Sequence, residues 1–117
     1  MENFPSNVAL TPGQAIAKSQ EGYEYVILRT NTAGCHMGKL ISCTPMGETY
    51  DCVIADTRRI WSWTGAKTLS HLAAKGSNDH SGCKISIEIP KNRMPAVEVI
   101  SMTEEGLKSF NEIPFWE

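Results

Sequence analysis

The chain has 117 residues, with 41% hydrophobic and 21% charged side chains, which is enough to bury a core without disulfides or a metal and rules out a disordered composition. A net charge of -2 excludes a protein that grips long duplexes through a broad basic face. The first thirty residues show no basic start followed by an apolar run, and no stretch approaches the roughly 20 apolar residues that span a bilayer, so a soluble, cytoplasmic protein of a single domain over residues 1–117 is expected.

In chain order, TPGQAIAKSQEG opens with Thr11 as N-cap, Pro12 at the first helical position and Gln14 three residues after the cap, predicting a short helix that ends near Gly22. YEYVILRTNT, residues 23–32, is rich in β-branched and aromatic residues and predicts a strand. AGCHMG then offers Gly34 and Gly38 for a turn or bulge before KLISCT resumes as a strand, a hairpin. PMGE turns the chain again into TYDCVIAD, where Tyr50, Cys52 and Ile54 alternate against Asp51, Val53 and Ala55. RRIWSW continues this strand until Gly65 stops it.

Thr68 caps a predicted helix with Leu69, Leu72 and Ala73 on one face and Gly76 just past its end. GSNDHSG is a polar loop. KISIEIP reads as an amphipathic strand with Ile85, Ile87 and Ile89 inward, and PAVEVISM as a sixth strand. Thr103 caps a last helix with Glu104 and Glu105 in its first turn, Leu107 and Phe110 as its apolar contacts, and Pro114 as its stop. The expected architecture is α+β: a mainly antiparallel sheet of five or six strands with two or three short helices.

The residues that ask for a function lie in DTRRIWSWTGAKTL, residues 56–69, which holds two of the four arginines and two of the three tryptophans. Strand alternation sends Arg59, Trp61 and Trp63 to one face and Arg58, Ile60 and Ser62 to the other. One reading makes the tryptophans core and pairs each arginine with a carboxylate such as Asp56. The other makes an indole surface for a base beside a guanidinium for phosphate oxygens. Arg29, in VILRTN, carries the same pair of readings, a sheet-end ion pair or an anion contact, and Gly34 and Gly38 would let backbone amides approach an anion.

Cys35, Cys43, Cys52 and Cys83 form no CxxC pair and read as reduced core thiols, and CH at 35–36 and HxxC at 80–83 match no strong zinc pattern. No hydrolase, protease, phosphate-loop or dinucleotide-enzyme signature is present, so no catalytic residue, metal or cofactor is expected.

YVILRTNTAGCHMGKL followed by DTRRIWSWTGAKTLSHLA resembles small bacteriophage proteins with a strand ending in R-T, an A-G-x-x-x-G turn, and R-R-I-W-x-W-x-G-A leading into a leucine-rich helix. The similarity runs from about Tyr25 to Gly76 and more weakly to the C-terminal helix. These resemble the phage Thoeris anti-defence proteins of the first type, sponges that sequester cyclic ADP-ribose isomers made by bacterial TIR-domain enzymes. The resemblance implies a homo-oligomeric binding protein that captures a small nucleotide signal intact, in some members with a second site for cyclic trinucleotides. It implies phosphate and base contacts from Arg29, Arg58, Arg59, Trp61 and Trp63, with Lys84, Asn92 and Arg93 as further candidates. The alternative is a protein-binding inhibitor, anti-CRISPR-like, with RRIWSW as its interface hot spot. A pocket lined by both arginines and an indole face would favour the nucleotide; a flat, exposed tryptophan patch would favour a protein.

Overall fold

The computed structural model describes residues 15–116. It contains six strands, β1 (Tyr25–Arg29), β2 (Cys35–Met46), β3 (Thr49–Ser62), β4 (Lys84–Ile85), β5 (Ile89–Ala96) and β6 (Glu98–Ser101), two helices, α1 (Leu69–Lys75) and α2 (Glu104–Asn111), and a 3-10 turn at His80–Gly82. The expected α+β class holds. All strand pairs are antiparallel, in the order β4-β3-β2-β1-β6, with β5 also on β3.

The sheet curls, so both faces of β1 are buried. Ile27 joins Met37, Ile60, Ile85, Leu72, Phe110 and Met102 in a cluster under the helices. Val26 and Leu28 face the other way, into Cys52, Ile54, Met94 and Ala96. This is why VIL reads as a continuous apolar run rather than an alternation. Asp56, with φ at 49°, divides β3 between the two clusters. Lys39 Nζ reaches its carboxylate at 2.8 Å.

Both helices start where their capping residues predict. Thr68 Oγ1 accepts from the His71 amide and Thr103 Oγ1 from the Gly106 amide, each satisfying a donor the helix leaves free. Gly106 lies against α1, where a Cβ would overlap the Ala73 carbonyl, so the absence of a side chain lets the two helices touch.

Three expectations are corrected. The first residues of the helix expected from Thr11 lie outside the described ones, and residues 15–22 are not helical. Ile16 bridges Thr103, Lys18 bridges Glu24, and Ala17 exchanges backbone hydrogen bonds with Met102 and Tyr25. Tertiary pairing outweighs the local capping signal there.

The AGCHMG turn is shorter than expected. The chain reverses through residues 30–34, and Cys35 to Gly38 already belong to β2. Gly38 sits where the β2–β3 register shifts, which is the bulge part of the reading.

The KISIEIP strand also breaks early. Lys84 and Ile85 pair with β3 as β4, Ser86 to Glu88 lie in no strand, and Ile87 and Ile89 are 44% and 40% exposed. Ser86 accepts from the Arg59 amide and donates its own amide to the Arg59 carbonyl. Beyond it the chain leaves the ladder and re-enters as β5 along the other half of β3, with Thr57 opposite Ile89 and Tyr50 opposite Ala96. Ala96, expected in the sixth strand, thus closes the fifth.

Candidate functional site

The second half of β3 presents two unlike faces. Towards the helices, Arg58 is 3% exposed. Its Nε donates to Ser86 O at 2.7 Å, Nη1 to Phe110 O at 3.3 Å, and Nη2 to Ile85, Ile113 and Pro114 carbonyls at 3.1 to 3.3 Å. The guanidinium also lies 5.5 Å from the Phe110 ring centroid and 4.7 Å from that of Phe115. Burial draws its pKa below the usual guanidine value, with Glu88 opposing. Carbonyls at the C-terminal end of α2 solvate the cation in place of water, at the helix end whose dipole favours positive charge. Arg58 therefore ties β3 to the segment after α2.

On the opposite face, Arg59 lays its guanidinium carbon 3.9 Å from the Trp61 ring centroid. Trp61 is 52% exposed. Trp116 meets it edge to face, with centroids 6.3 Å apart and planes at 63°. Lys84 Nζ lies 5.6 Å from the Trp116 ring. Trp116 is placed by its amide, which donates to Ile85 O at 2.8 Å, and by the neighbouring bridge from Phe115 to Ile85. The row Arg59–Trp61–Trp116–Lys84 thus joins the end of β3, the start of β4 and the C-terminal segment that Arg58 anchors. Two cations flank two indoles.

The turn before β2 borders this row. Gly34, with φ at 79°, sits where a Cβ would come within 3.1 Å of an Arg59 terminal nitrogen, so glycine serves both the left-handed backbone and the close approach of the guanidinium. Thr30 Oγ1 donates to Gly34 O and accepts from the Ala33 amide, both at 2.8 Å. His36, opposite Arg59 on β2, places Nε2 2.7 Å from Ala33 O. Burial lowers the His36 pKa, and the Arg59 charge lowers it further against that hydrogen bond. The imidazole is neutral at pH 7, with Nε2 donating.

The remaining candidates part company. Trp63 packs against the core under the helices and donates Nε1 to Ala66 O at 3.1 Å, which makes it part of the scaffold. Arg29 pairs with Glu98 at 2.8 Å, directly across from it on β6; this is the sheet-end ion pair. Burial raises the pKa of Cys35, opposite Arg29 on β2, with the Arg29 and Arg59 charges opposing the rise and Glu98 adding to it. Arg93 forms a two-pronged contact with Asp51 at 3.0 and 2.7 Å, and Asn92 sits opposite Ile54 beside it. Both lie on β5, beside the first half of β3 and away from Arg59.

The row is open to solvent, with both indoles exposed. Among the described residues, clefts of about 470 Å³ and 350 Å³ lie elsewhere: one between Ala17, Lys18 and α2, the other beside Gly65, Lys67 and His71. No group of three metal-ligating side chains occurs among the described residues, and all four cysteines are free thiols. No described helix is long and apolar enough to cross a membrane.

Sequence reasoning missed Trp116. The signal was available in IPFWE, where two consecutive aromatics follow a helix-ending proline, but nothing local ties them to a strand more than fifty residues earlier.

Fold and site together define a small α+β protein with an open aromatic face flanked by cations. The chain belongs to the family described as a domain of unknown function, DUF6948, whose model matches residues 23–110. That span includes Arg59, Trp61 and Lys84 and stops short of Trp116. No curated protein and no solved structure matches the chain.

Proposed function

We propose that the chain is a binding protein without catalytic chemistry, and that the Arg59–Trp61–Trp116–Lys84 face is the hot spot of a contact with a partner protein carrying an acidic patch. The observation behind this reading is the openness of the face: two half-exposed indoles edge to face, with a cation beside each. Trp and Arg are the residues that dominate interface energetics, and a flat apolar centre with charged flanks suits a protein surface better than a small ligand. Two cations on a chain of net charge -2 select an acidic partner. The same residues suit an inhibitor that acts by occupying a host complex.

The stacked guanidinium supports a second reading, the capture of a cyclic nucleotide or cyclic ADP-ribose-type signal without cleavage. Arg59 forms no ion pair among the described residues, and its outward edge offers N–H donors that suit a phosphate. One copy leaves the ligand open to solvent, whereas tight capture buries most of it. This reading therefore requires a homo-oligomer in which a second copy closes the face.

One experiment separates the two. A photo-crosslinking residue replaces Trp61 or, as control, Tyr50, and labelling is carried out in infected-cell extract. A single protein captured at position 61 and not at 50, lost when Arg59→Glu is added, supports the first reading. In parallel, the purified protein is mixed with a panel of cyclic nucleotides and ADP-ribose isomers, washed and heated. Intact ligand recovered from the wild type and not from Arg59→Glu supports the second. Equal labelling at both positions with no ligand released refutes both.

A further inference from the structure

Cys43 and Cys52 face each other directly across the β2–β3 ladder, with sulfurs 3.7 Å apart and the Cys52 thiol donating to Cys43 Sγ. Residues directly opposite in an antiparallel pair have Cα atoms about 4.5 to 5.5 Å apart, inside the range that a disulfide spans. The two thiols differ in access: Cys43 is exposed and Cys52 is fully buried.

The pair also sits where β2 is an edge of the sheet. β1 pairs with β2 only from Cys35 to Lys39, so Ser42 to Met46 are held by β3 alone, just past a register shift between Leu40 and Ser42. A covalent link there would fix a register that hydrogen bonds hold on one side only.

We infer that Cys43 and Cys52 form a thiol–disulfide exchange site, at which a small-molecule disulfide such as oxidised glutathione converts the pair into an intramolecular clasp on the β2–β3 arm. Cys43, as thiolate, attacks one sulfur of the small disulfide. The new Cys43–glutathione bond forms as the old S–S bond breaks and one glutathione thiolate leaves. Cys52 then gives up its proton to solvent or to a departing thiolate and attacks Cys43 Sγ, expelling the second glutathione. The protein loses two protons and two electrons, and one oxidised glutathione takes them up to become two reduced ones.

The order of attack follows from access and acidity. Burial, the Cys43 contact and the Asp51 charge push the Cys52 thiol up to about 12. Buried and protonated, Cys52 is a poor first nucleophile. Once Cys43 carries the leaving group within contact distance, proximity compensates.

The test uses the full-length reduced protein, incubated under native conditions with oxidised glutathione, then alkylated and digested with trypsin. Residues 40–58 contain both cysteines and no internal Lys or Arg, so the clasp appears as one peptide lighter by two hydrogens and unalkylated. The expected result is that species in the wild type, with Cys35 and Cys83 still alkylated. Cys52→Ala should stop at a Cys43–glutathione adduct, and Cys43→Ser, a change at an exposed position, should give neither product. Wild type in which both thiols are still alkylated, in which the glutathione adduct persists, or in which the product is a disulfide-linked dimer would overturn the assignment.

Discussion

Arg58 and Arg59 are consecutive on β3, yet the first is surrounded by backbone carbonyls from two other segments of chain, residues 85–86 and 110–114, and the second lies on an exposed indole. Trp63 and Trp61 divide in the same way, one donating to Ala66 O within the fold and the other half exposed. The pairs use the same chemistry for different ends. On the closed face the guanidinium replaces water for carbonyls at the end of α2. On the open face the same group has its planar side satisfied by Trp61 and its donors turned to whatever arrives. Composition alone does not separate scaffold from site; what each donor touches does.

The closed face should respond most strongly. Arg58→Ala leaves several buried carbonyls without a donor and should cost about 3–5 kcal/mol, the range for removing one partner from a buried charged network. Urea denaturation would measure it, and a loss below about 1 kcal/mol would break the distinction between the arginines. Arg58→Lys should recover part of the loss. Because Arg58 also anchors the segment bearing Trp116, the Arg58→Lys variant should show altered Trp61–Trp116 coupling in near-ultraviolet circular dichroism even where it stays folded.

Trp63→Ala removes a half-buried aromatic and should cost about 2–3 kcal/mol, somewhat below the 3–5 of a fully buried one. Trp61→Ala should cost less than about 1 kcal/mol, since Trp61 is half exposed and its neighbours, Arg59 and Trp116, are surface side chains. Equal losses would place both tryptophans in the scaffold and remove the case for an open face.

His36, at the seam between the two faces, supplies a pH test. Its folded-state pKa lies below the ordinary value of 6.5 because the ring is buried and Arg59 is near. The unfolded chain therefore takes up the proton first as the medium is acidified. The stability tied to a neutral His36 is complete above pH 6.5 and declines as pH falls through and below that value. His36→Gln should flatten this part of the stability profile while the rest is unchanged. A profile as steep in the variant as in the wild type would contradict the assignment.

The sequence made α1 and α2 legible because their signals are local, although the same kind of signal at Thr11 misread residues 15–22 as helical. Thr68 and Thr103 as caps, Gly76 after α1 and acidic residues at the start of α2 all stand where expected. It made the split between Arg58 and Arg59 legible as well, through strand alternation. The features that were not legible depend on contacts between distant segments. Ile87 and Ile89 keep the period of a buried strand, but beyond Ile85 the chain leaves the ladder, and Ile89 re-enters it opposite Thr57 as the exposed start of β5. Trp63 has the right parity for the open face, but β3 ends at Ser62 and its ring turns inward. Trp116 arrives from the other end of the chain, through an anchor, Arg58, that reads from sequence as a ligand contact.

Arg59→Gln should have the smallest effect on stability, within about 0.5 kcal/mol, because its guanidinium makes a surface stack and no buried bond. Its consequence should be electrostatic, and this gives the most direct test of an open, cationic aromatic face. In a Trp63→Phe variant, which leaves Trp61 and Trp116 as the only indoles, collisional quenching at low salt is compared for iodide, an anion, and caesium, a cation. Iodide should quench several-fold better than caesium, and Arg59→Gln should narrow the difference. Indoles shielded from both ions, or quenched better by caesium, would contradict the account.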